Sequence, residues 1–302
     1  MGEESSSTRS GGARIPEAAR IDLHTHSTFS DGTSSVPELL REAREAGLDM
    51  IALTDHDTTA GWDDARAAAR GSGVAVIPGI EVSAEHGSLS VHILALLVDP
   101  SPGTALAAEL RRARESRTRR ARAMVDRIGR DHPVGWDDVL EQLAAADTTV
   151  GRPHIADALV ARGVVADRSA AFAGLLAPSS PYYVPYYAPA PDTAVRAIVE
   201  AGGVAIAAHP ASGMREGAVP VDLLERMTQA GLAAIEVEHR EHDAVERERL
   251  RAYAQEHGLL ITGGSDYHGA GKPNRLGENL TSPAVLSALL DRATSETEVF
   301  HP

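Results

Sequence analysis

The chain has 302 residues, a formal net charge of −14 at pH 7 and no cysteine. Its length suits one large α/β domain or a barrel with an insertion, and its negative charge argues against general adhesion to nucleic acid or acidic membranes. Without cysteine the chain forms no disulfides, thiolate zinc sites or cysteine nucleophiles, so any metal site must use histidine and carboxylate.

The first segment, residues 1–18, is rich in serine, glycine and charge, which predicts a disordered tail. No signal peptide is visible, and no apolar run reaches the length of a membrane span. We therefore expect a cytoplasmic protein that needs no membrane partner, and a monomer is the simplest expectation.

The first part of the chain alternates apolar strands with amphipathic helices. The hydrophobic pattern predicts strands at 21–23, 50–53, 74–80 and 91–98, and helices at 36–46 and 60–70. Ser35 and Glu38 have the spacing of a capping box, and Pro37 lies in the first turn of the helix that follows.

The pattern changes beyond residue 100. Residues 103–175 predict helices without strands, and residues 177–191 form a loop rich in proline and tyrosine. The alternation then resumes, with helices at 192–202, 221–230 and 244–257 and strands at 204–208, 233–237 and 259–262. The sequence thus predicts a split main domain, 19–100 and 192–302, and a helical insertion domain, 101–191.

The predicted fold class is α/β. Apolar strands separated by helices imply a parallel sheet that is covered on both faces, and this number of strands favours a barrel over a small open sheet.

Histidines and acids follow these strands. His24 and His26 end the first strand two residues apart, so strand periodicity points both to one side, and Asp266 and His268 repeat this spacing after the last strand. The other candidates near strand ends are Asp31, His56, Glu81, His92 and His209. Because active sites of β/α barrels lie at the carboxyl ends of the strands, we expect these nine side chains to converge.

The chemistry of the nine candidates points to transition metals. A single histidine after a strand is usually a packed residue, but nine candidates with two spaced pairs do not arise independently. Imidazole and carboxylate together suit Mn, Fe, Zn or Co better than Ca or Mg. One ion cannot use nine ligands, so we expect two or three divalent ions, with Mn as the first choice and Fe, Zn and Co as alternatives.

The chain closely resembles the PHP (polymerase and histidinol phosphatase) family in seven motifs. They are His24-Thr25-His26-Ser27, Asp31-Gly32, Thr54-Asp55-His56-Asp57, Gly79-Ile80-Glu81, Val91-His92, His209-Pro210 and Ser265-Asp266-Tyr267-His268. This resemblance implies a distorted seven-stranded (β/α) barrel, with a metal cluster on its rim and an inserted helical domain over the active site.

The resemblance also implies three groups of ligands. The first ion would be held by His24, His26, Glu81 and Asp266. Glu81 would bridge to a second ion, which His92 and His209 also bind, and a third ion would be held by Asp31, His56 and His268.

The insertion carries Gly151-Arg152-Pro153-His154, which resembles the RNase AM group of the family. That group includes nucleoside 3′,5′-bisphosphate phosphatases and enzymes that trim short RNA from the 5′ end. The resemblance implies that Arg152 and His154 reach over the metals and bind substrate phosphate. Lys272 is a further candidate for phosphate binding, and His209 or His154 is the candidate acid for the leaving oxygen.

The expected activity is hydrolysis of nucleotide phosphate esters by a metal-bridged hydroxide. The substrate would be the 3′-phosphate of a nucleoside 3′,5′-bisphosphate, short 5′-phosphorylated RNA, or both. Two alternatives stay open: a histidinol-phosphate phosphatase, and a non-catalytic metal-binding or polymerase-accessory domain.

Two further features have competing interpretations. Residues 111–130 hold nine arginines and two acids, which indicates a solvated helix face more strongly than a guide for a polyanion. The tyrosines of the 177–191 loop are expected to seal a domain junction, and stacking on a base is the alternative.

Overall fold

The computed structural model describes residues 15–143, 148–212 and 218–302. Its seven strands form one sheet in chain order: β1 (Ile21–Thr25), β2 (Met50–Leu53), β3 (Ala75–His86), β4 (Leu89–Leu96), β5 (Val204–Ala208), β6 (Ala234–Glu238) and β7 (Leu260–Gly263). The segment after β7 returns to β1, where the His26 amide donates to the Tyr267 carbonyl at 2.9 Å. The sheet is therefore a nearly closed barrel, which confirms the predicted fold class.

The helices divide into those around the barrel and those of the insertion. Around the barrel lie α1 (Val36–Glu45), α2 (Trp62–Ala69), α7 (Pro191–Glu200), α8 (Val221–Gln229), α9 (Ala244–Glu256) and α10 (Pro283–Leu290). The insertion contains α3 (Ala105–Ile128), α4 (Trp136–Leu140), α5 (Arg152–Ala161) and α6 (Arg168–Ala173). Helix α1 begins at the predicted capping box, where the Ser35 amide donates to the Glu38 carboxylate at 2.8 Å.

The prediction of a fully parallel sheet is wrong for its middle part. Strand β4 runs antiparallel to both β3 and β5, whereas the other neighbours are parallel. The reason is local: β3 continues to His86, and a tight turn with Gly87 at φ 64° leads directly into β4. Such a turn can only join antiparallel strands. As a result, the start of β4 lies at the same barrel rim as the ends of the parallel strands.

Strand alternation separates two apolar layers. In β2, Met50 and Ala52 belong to the cluster inside the barrel, whereas Ile51 and Leu53 pack in the cluster under the surrounding helices. Leu286 and Leu289 of α10 join the inner cluster, so this helix covers the part of the barrel where the parallel strands begin. The polar site can therefore occupy only the opposite rim.

The insertion has an apolar core of its own. Met124 and Ile128 from the end of α3 pack with Ile155 and Leu159 of α5 in a separate cluster. The start of α3 belongs elsewhere, because Leu106 is part of the cluster between the barrel and its helices. Helix α3 thus packs against the barrel at its start and in the core of the insertion at its end. The predicted boundary near residue 101 lies before this helix.

Several arginines of α3 contact the aromatic rings of the insertion. Arg112 lies 3.5 Å from the ring centroid of Tyr187, and Arg120 lies 4.7 Å from that of Tyr186. These stacked pairs join α3 to the tyrosine-rich loop.

Of the predicted tail, residues 1–14 lie outside the described residues, and Ile15 packs partly buried against the inner cluster. Among the described helices, none is both long and apolar enough to cross a membrane.

Candidate metal centre

The barrel rim brings all nine predicted ligands together. His24 is the last residue but one of β1, Glu81 lies within the long strand β3, and His92 lies near the start of β4. The remaining six lie in the loops that follow β1, β2, β5 and β7: His26, Asp31, His56, His209, Asp266 and His268. His92 reaches the same rim as the others because β4 is antiparallel.

Four side chains form a first group. The Nε2 atoms of His24 and His26 lie 3.3 and 3.0 Å from Glu81 Oε2. Each of these two nitrogens also lies 3.5 Å from Asp266 Oδ1. One ligand atom from each of the four side chains lies within 4.8 Å of the others, as one shared ion requires.

A second group surrounds Asp31. Asp31 Oδ1 lies 3.1 Å from His268 Nε2 and 3.8 Å from His56 Nε2. His26 joins this group through Nδ1, 3.9 Å from the same oxygen. These contacts bring together the trio proposed for the third ion.

Glu81 is the centre of the third group. Its Oε1 lies 2.8 Å from His92 Nδ1 and 3.2 Å from His209 Nε2, and its Oε2 lies 3.3 Å from His56 Nδ1. His56 therefore faces both Glu81 and Asp31, a position that spacing alone did not indicate. A carboxylate between several imidazoles can bridge two ions.

The ligand atoms fit bound cations. Among the described residues, seven buried atoms at this rim have no hydrogen-bond partner: His24 Nε2, His26 Nε2, Asp31 Oδ1, His56 Nδ1, Glu81 Oε2, Asp266 Oδ1 and His268 Nε2. Buried polar atoms without partners cost about 1–3 kcal/mol each, so such a concentration needs an explanation. Divalent ions between these atoms would satisfy them all.

The charges in the cluster are strongly coupled. Burial lowers the pKa of His26, but the carboxylates of Asp266 and Glu81 outweigh it and raise that pKa to about 9. Burial also opposes ionisation of Asp266, yet the nearby Lys272 ammonium holds the pKa of Asp266 well below its usual range. Without a cation, the His26 imidazole therefore holds a proton where a metal ion would lie.

Strained backbone occurs at the same rim. Asp57, His209 and Asp266 have φ angles of 55°, 28° and 53°, in the left-handed region that side chains rarely adopt. Non-glycine residues in such conformations cluster at functional sites, where the surroundings hold them.

The sequence did not predict Glu236 as part of the site. This buried carboxylate in β6 lies 3.3 Å from His24 Nδ1 and accepts a hydrogen bond from the His209 amide at 2.8 Å. Glu236 was not predicted because it lies within a strand rather than after it. Since side chains alternate along a strand, Glu236 faces the same side as Ala234, which packs inside the barrel, and this spacing could have identified it.

Arg117 of α3 was also missed. Its Nε donates to Asp57 Oδ2 at 2.8 Å, and Asp57 Oδ1 accepts from the Ser83 amide at 2.8 Å. Arg117 also contacts the Ser83 hydroxyl. The insertion is thereby linked to the two segments that carry His56 and Glu81.

Two of the residues expected to bind substrate, Lys272 and Arg152, lie in different parts of the structure. Lys272 Nζ lies 2.6 Å from Asp266 Oδ2, next to the cluster. The Arg152 guanidinium lies within the insertion, 5.4 and 6.0 Å from the ring centroids of Phe172 and Tyr183.

The His154 ring is buried and hydrogen-bonded within the protein. Its Nδ1 accepts from the Gly151 amide at 3.1 Å, and a second hydrogen bond joins the ring to the Ser30 backbone. Burial is the main cause of its lowered pKa, so the neutral ring is favoured. His154 therefore anchors α5 to the loop that carries Asp31.

Comparison with known proteins agrees with this geometry. The family model described as PHP domain matches residues 22–128. The chain is 36% identical over 257 residues to a 3′,5′-nucleoside bisphosphate phosphatase from Chromobacterium violaceum, covering 85% of this chain and 90% of the relative. It is also 36% identical to a phosphoribosyl 1,2-cyclic phosphate 1,2-diphosphodiesterase from Eggerthella lenta, covering 82% of this chain and 94% of the relative.

A 5′-3′ exoribonuclease from Haemophilus influenzae is 33% identical, with 86% of this chain and 94% of the relative covered. Among solved structures, a metal-dependent phosphoesterase from Bifidobacterium adolescentis superposes with a TM-score of 0.89 at 43% identity, covering 93% of this chain and 99% of that one. The barrel and its ligand cluster, together with these relatives, define a metal-dependent phosphoric ester hydrolase. The chain belongs to the PHP family.

Proposed function

We propose that the enzyme removes the 3′-phosphate from nucleoside 3′,5′-bisphosphates and trims short 5′-phosphorylated RNA. The observation that carries this proposal is the convergence of nine imidazole and carboxyl side chains at one rim, seven of which have a buried ligand atom without a hydrogen-bond partner among the described residues. The names of the relatives from Chromobacterium violaceum and Haemophilus influenzae support the substrate class.

The nine residues would hold two or three divalent ions in the groups described above, and manganese is our first choice. When bound, such ions lower the pKa of water and offset charge on phosphate oxygens. The protein's part is to fix the ligands. Glu236 orients His24 from outside the cluster, and Lys272 offsets the charge of Asp266.

Substrate recognition is assigned to cationic groups around the cluster. Lys272 is 40% exposed and next to Asp266, so its ammonium can also bind a phosphate oxygen. Arg152 would bind a second phosphate with its planar fork of donors. Its guanidinium also faces the rings of Phe172 and Tyr183 and donates to the Leu176 carbonyl at 3.4 Å.

Neither candidate acid for the leaving oxygen gains support. Burial lowers the pKa of His154, and His209 would use its Nε2 lone pair as a ligand next to Glu81. We therefore propose that His154 acts by anchoring the insertion and that water protonates the leaving oxygen.

A phosphate-release screen tests the proposal. Adenosine 3′,5′-bisphosphate, short 5′-phosphorylated RNA, a phosphoribosyl cyclic phosphate and histidinol phosphate are each incubated with the enzyme, with Mn²⁺ or with chelator. We expect hydrolysis of the first two substrates with Mn²⁺ only, loss of activity in Glu81→Ala, and full activity in the exposed control His301→Ala.

The alternatives predict different results. Turnover of histidinol phosphate alone would establish the first alternative, and turnover of the cyclic phosphate alone would match the Eggerthella lenta relative. Manganese binding without any hydrolysis would indicate a non-catalytic domain. We also propose a monomer that acts in the cytoplasm without long nucleic acid or membrane as a partner.

A further inference from the structure

The backbone at His209 needs external support. Its φ of 28° lies in the left-handed region, and it directly precedes Pro210, which favours an extended conformation. Such a conformation is unfavourable for a residue with a side chain and persists only where its neighbours hold it. The conformation matters because it places His209 Nε2 3.2 Å from Glu81.

The first support is Glu236. Its carboxylate is 1% exposed, and Oε2 accepts from the His209 amide at 2.8 Å. Both of its oxygens also lie 3.3 Å from His24 Nδ1. One buried side chain of β6 thus fixes the backbone of His209 and the ring of His24.

The second support is His242, four residues after β6 and 4% exposed. Its Nδ1 lies 3.0 Å from the Val237 carbonyl, so Nδ1 carries the proton and Nε2 is an acceptor. Nε2 accepts from the Ala211 amide at 3.2 Å. The ring therefore ties the loop after His209 to the end of β6.

The space between the supports is filled. The His239 ring is buried and lies 5.3 Å from the His209 ring and 5.4 Å from the His242 ring, centroid to centroid. Ser212 Oγ also lies 3.2 Å from His209 Nδ1. Two side chains, Glu236 and His242, thus accept hydrogen bonds from the backbone of the loop 209–212. The His209 ring itself contacts Ser212 and His239.

We propose that Glu236 and His242 are positioning residues that hold His209 in its left-handed conformation, so that its Nε2 faces Glu81. The proposal rests on the proposed function, in which His209 is a ligand of the ion shared with Glu81 and His92. Removal of Glu236 leaves the His209 amide without its buried acceptor, and removal of His242 does the same to the Ala211 amide. The backbone can then relax toward an extended conformation, which moves Nε2 away from Glu81.

Manganese titration of the full chain by calorimetry tests the proposal, with kcat and KM for adenosine 3′,5′-bisphosphate measured on the same samples. In Glu236→Ala and His242→Ala, we expect affinity for one manganese equivalent to fall about 10–100-fold, the usual effect of losing a group that orients a ligand. We expect kcat to fall more than KM changes. His242→Gln keeps one donor and one acceptor and should recover most of the affinity.

His257→Ala is the matched control, because His257 is an exposed histidine at the end of α9. Wild-type affinity in folded His242→Ala and Glu236→Ala would overturn the proposal. If an alanine variant does not fold, equal affinity losses in His242→Gln and His242→Leu would overturn it, and recovery in the glutamine variant alone would support it. Failure of the wild-type chain to bind manganese would instead reject the proposed function.

Discussion

The Lys272 ammonium lies 2.6 Å from Asp266 Oδ2, while Asp266 Oδ1 faces His24 and His26. One carboxylate therefore joins a partly exposed cation to the ligand cluster. This geometry gives Lys272 two possible partners, the carboxylate and an incoming phosphate.

Replacing Lys272 tests whether its ammonium binds the phosphate of the substrate. In Lys272→Ala, we expect KM for adenosine 3′,5′-bisphosphate to rise about 10–100-fold, because a hydrogen bond between charged groups contributes about 1.5–3 kcal/mol. Lys272→Arg should retain most of the affinity. Steady-state kinetics measures the effect, and an unchanged KM in the alanine variant would show that Lys272 does not bind substrate.

Metal removal is expected to lower thermal stability without unfolding the barrel. Ions that bind only the folded chain stabilise it by about 2.7 kcal/mol at 100 times their Kd. We expect Tm to rise with Mn²⁺ concentration and to return to its starting value with chelator. In Glu81→Ala the rise should be much smaller, since Glu81 belongs to two of the ligand groups. Equal rises in both proteins would contradict the site.

Manganese binding should depend on pH with a definite sign. The raised pKa of His26, about 9, means that this ring is protonated at pH 7 in the metal-free protein. Because a metal binds the unprotonated ring, affinity should rise from pH 7 toward pH 9 and fall below pH 7. Calorimetry in two buffers of different ionisation enthalpy should detect released protons. Binding without proton release at pH 7 would count against this protonation state.

The pair of Arg117 and Asp57 should contribute strongly to stability. The Arg117 side chain is 12% exposed and that of Asp57 is fully buried. Removing one partner of a buried pair costs about 3–5 kcal/mol, so Arg117→Ala should unfold at a lower urea concentration. Arg119→Ala is the control from the same helix, because Arg119 is 68% exposed and should change stability little. Similar midpoints for the two variants would refute the expectation.

A methyl group at Gly264 should displace two side chains at the cluster, Glu236 and His24. A Cβ there would collide with Glu236 Oε1 and with the Cβ of His24. We expect Gly264→Ala to fold with lower manganese affinity, whereas Gly103→Ala, with open space at an exposed position, should bind manganese normally. Normal affinity in both variants would show that the Glu236 and His24 contact tolerates displacement.

Much of the rim could be predicted because strand ends are visible in sequence. Apolar runs locate the strands, and the side chains that follow them must lie at one edge. The antiparallel hairpin was not predicted because the predicted third strand ends at Ile80, although Val82 and Ala84 continue its alternation and Gly87 marks a turn.

Other parts of the site depend on tertiary contacts. The double role of His56 follows from the path of its loop between Glu81 and Asp31, which no spacing encodes. The stacking of Arg152 on Phe172 depends on how α5 and α6 pack.

Helix α3 begins against the barrel and ends in the core of the insertion. A deletion of residues 101–191 would therefore strip Leu106 and Leu110 from the barrel and expose the apolar surface they cover. The insertion is consequently not an interchangeable module. An evolutionary change or an engineered graft that swaps this domain must retain the first turns of α3, or the barrel itself will become prone to aggregation.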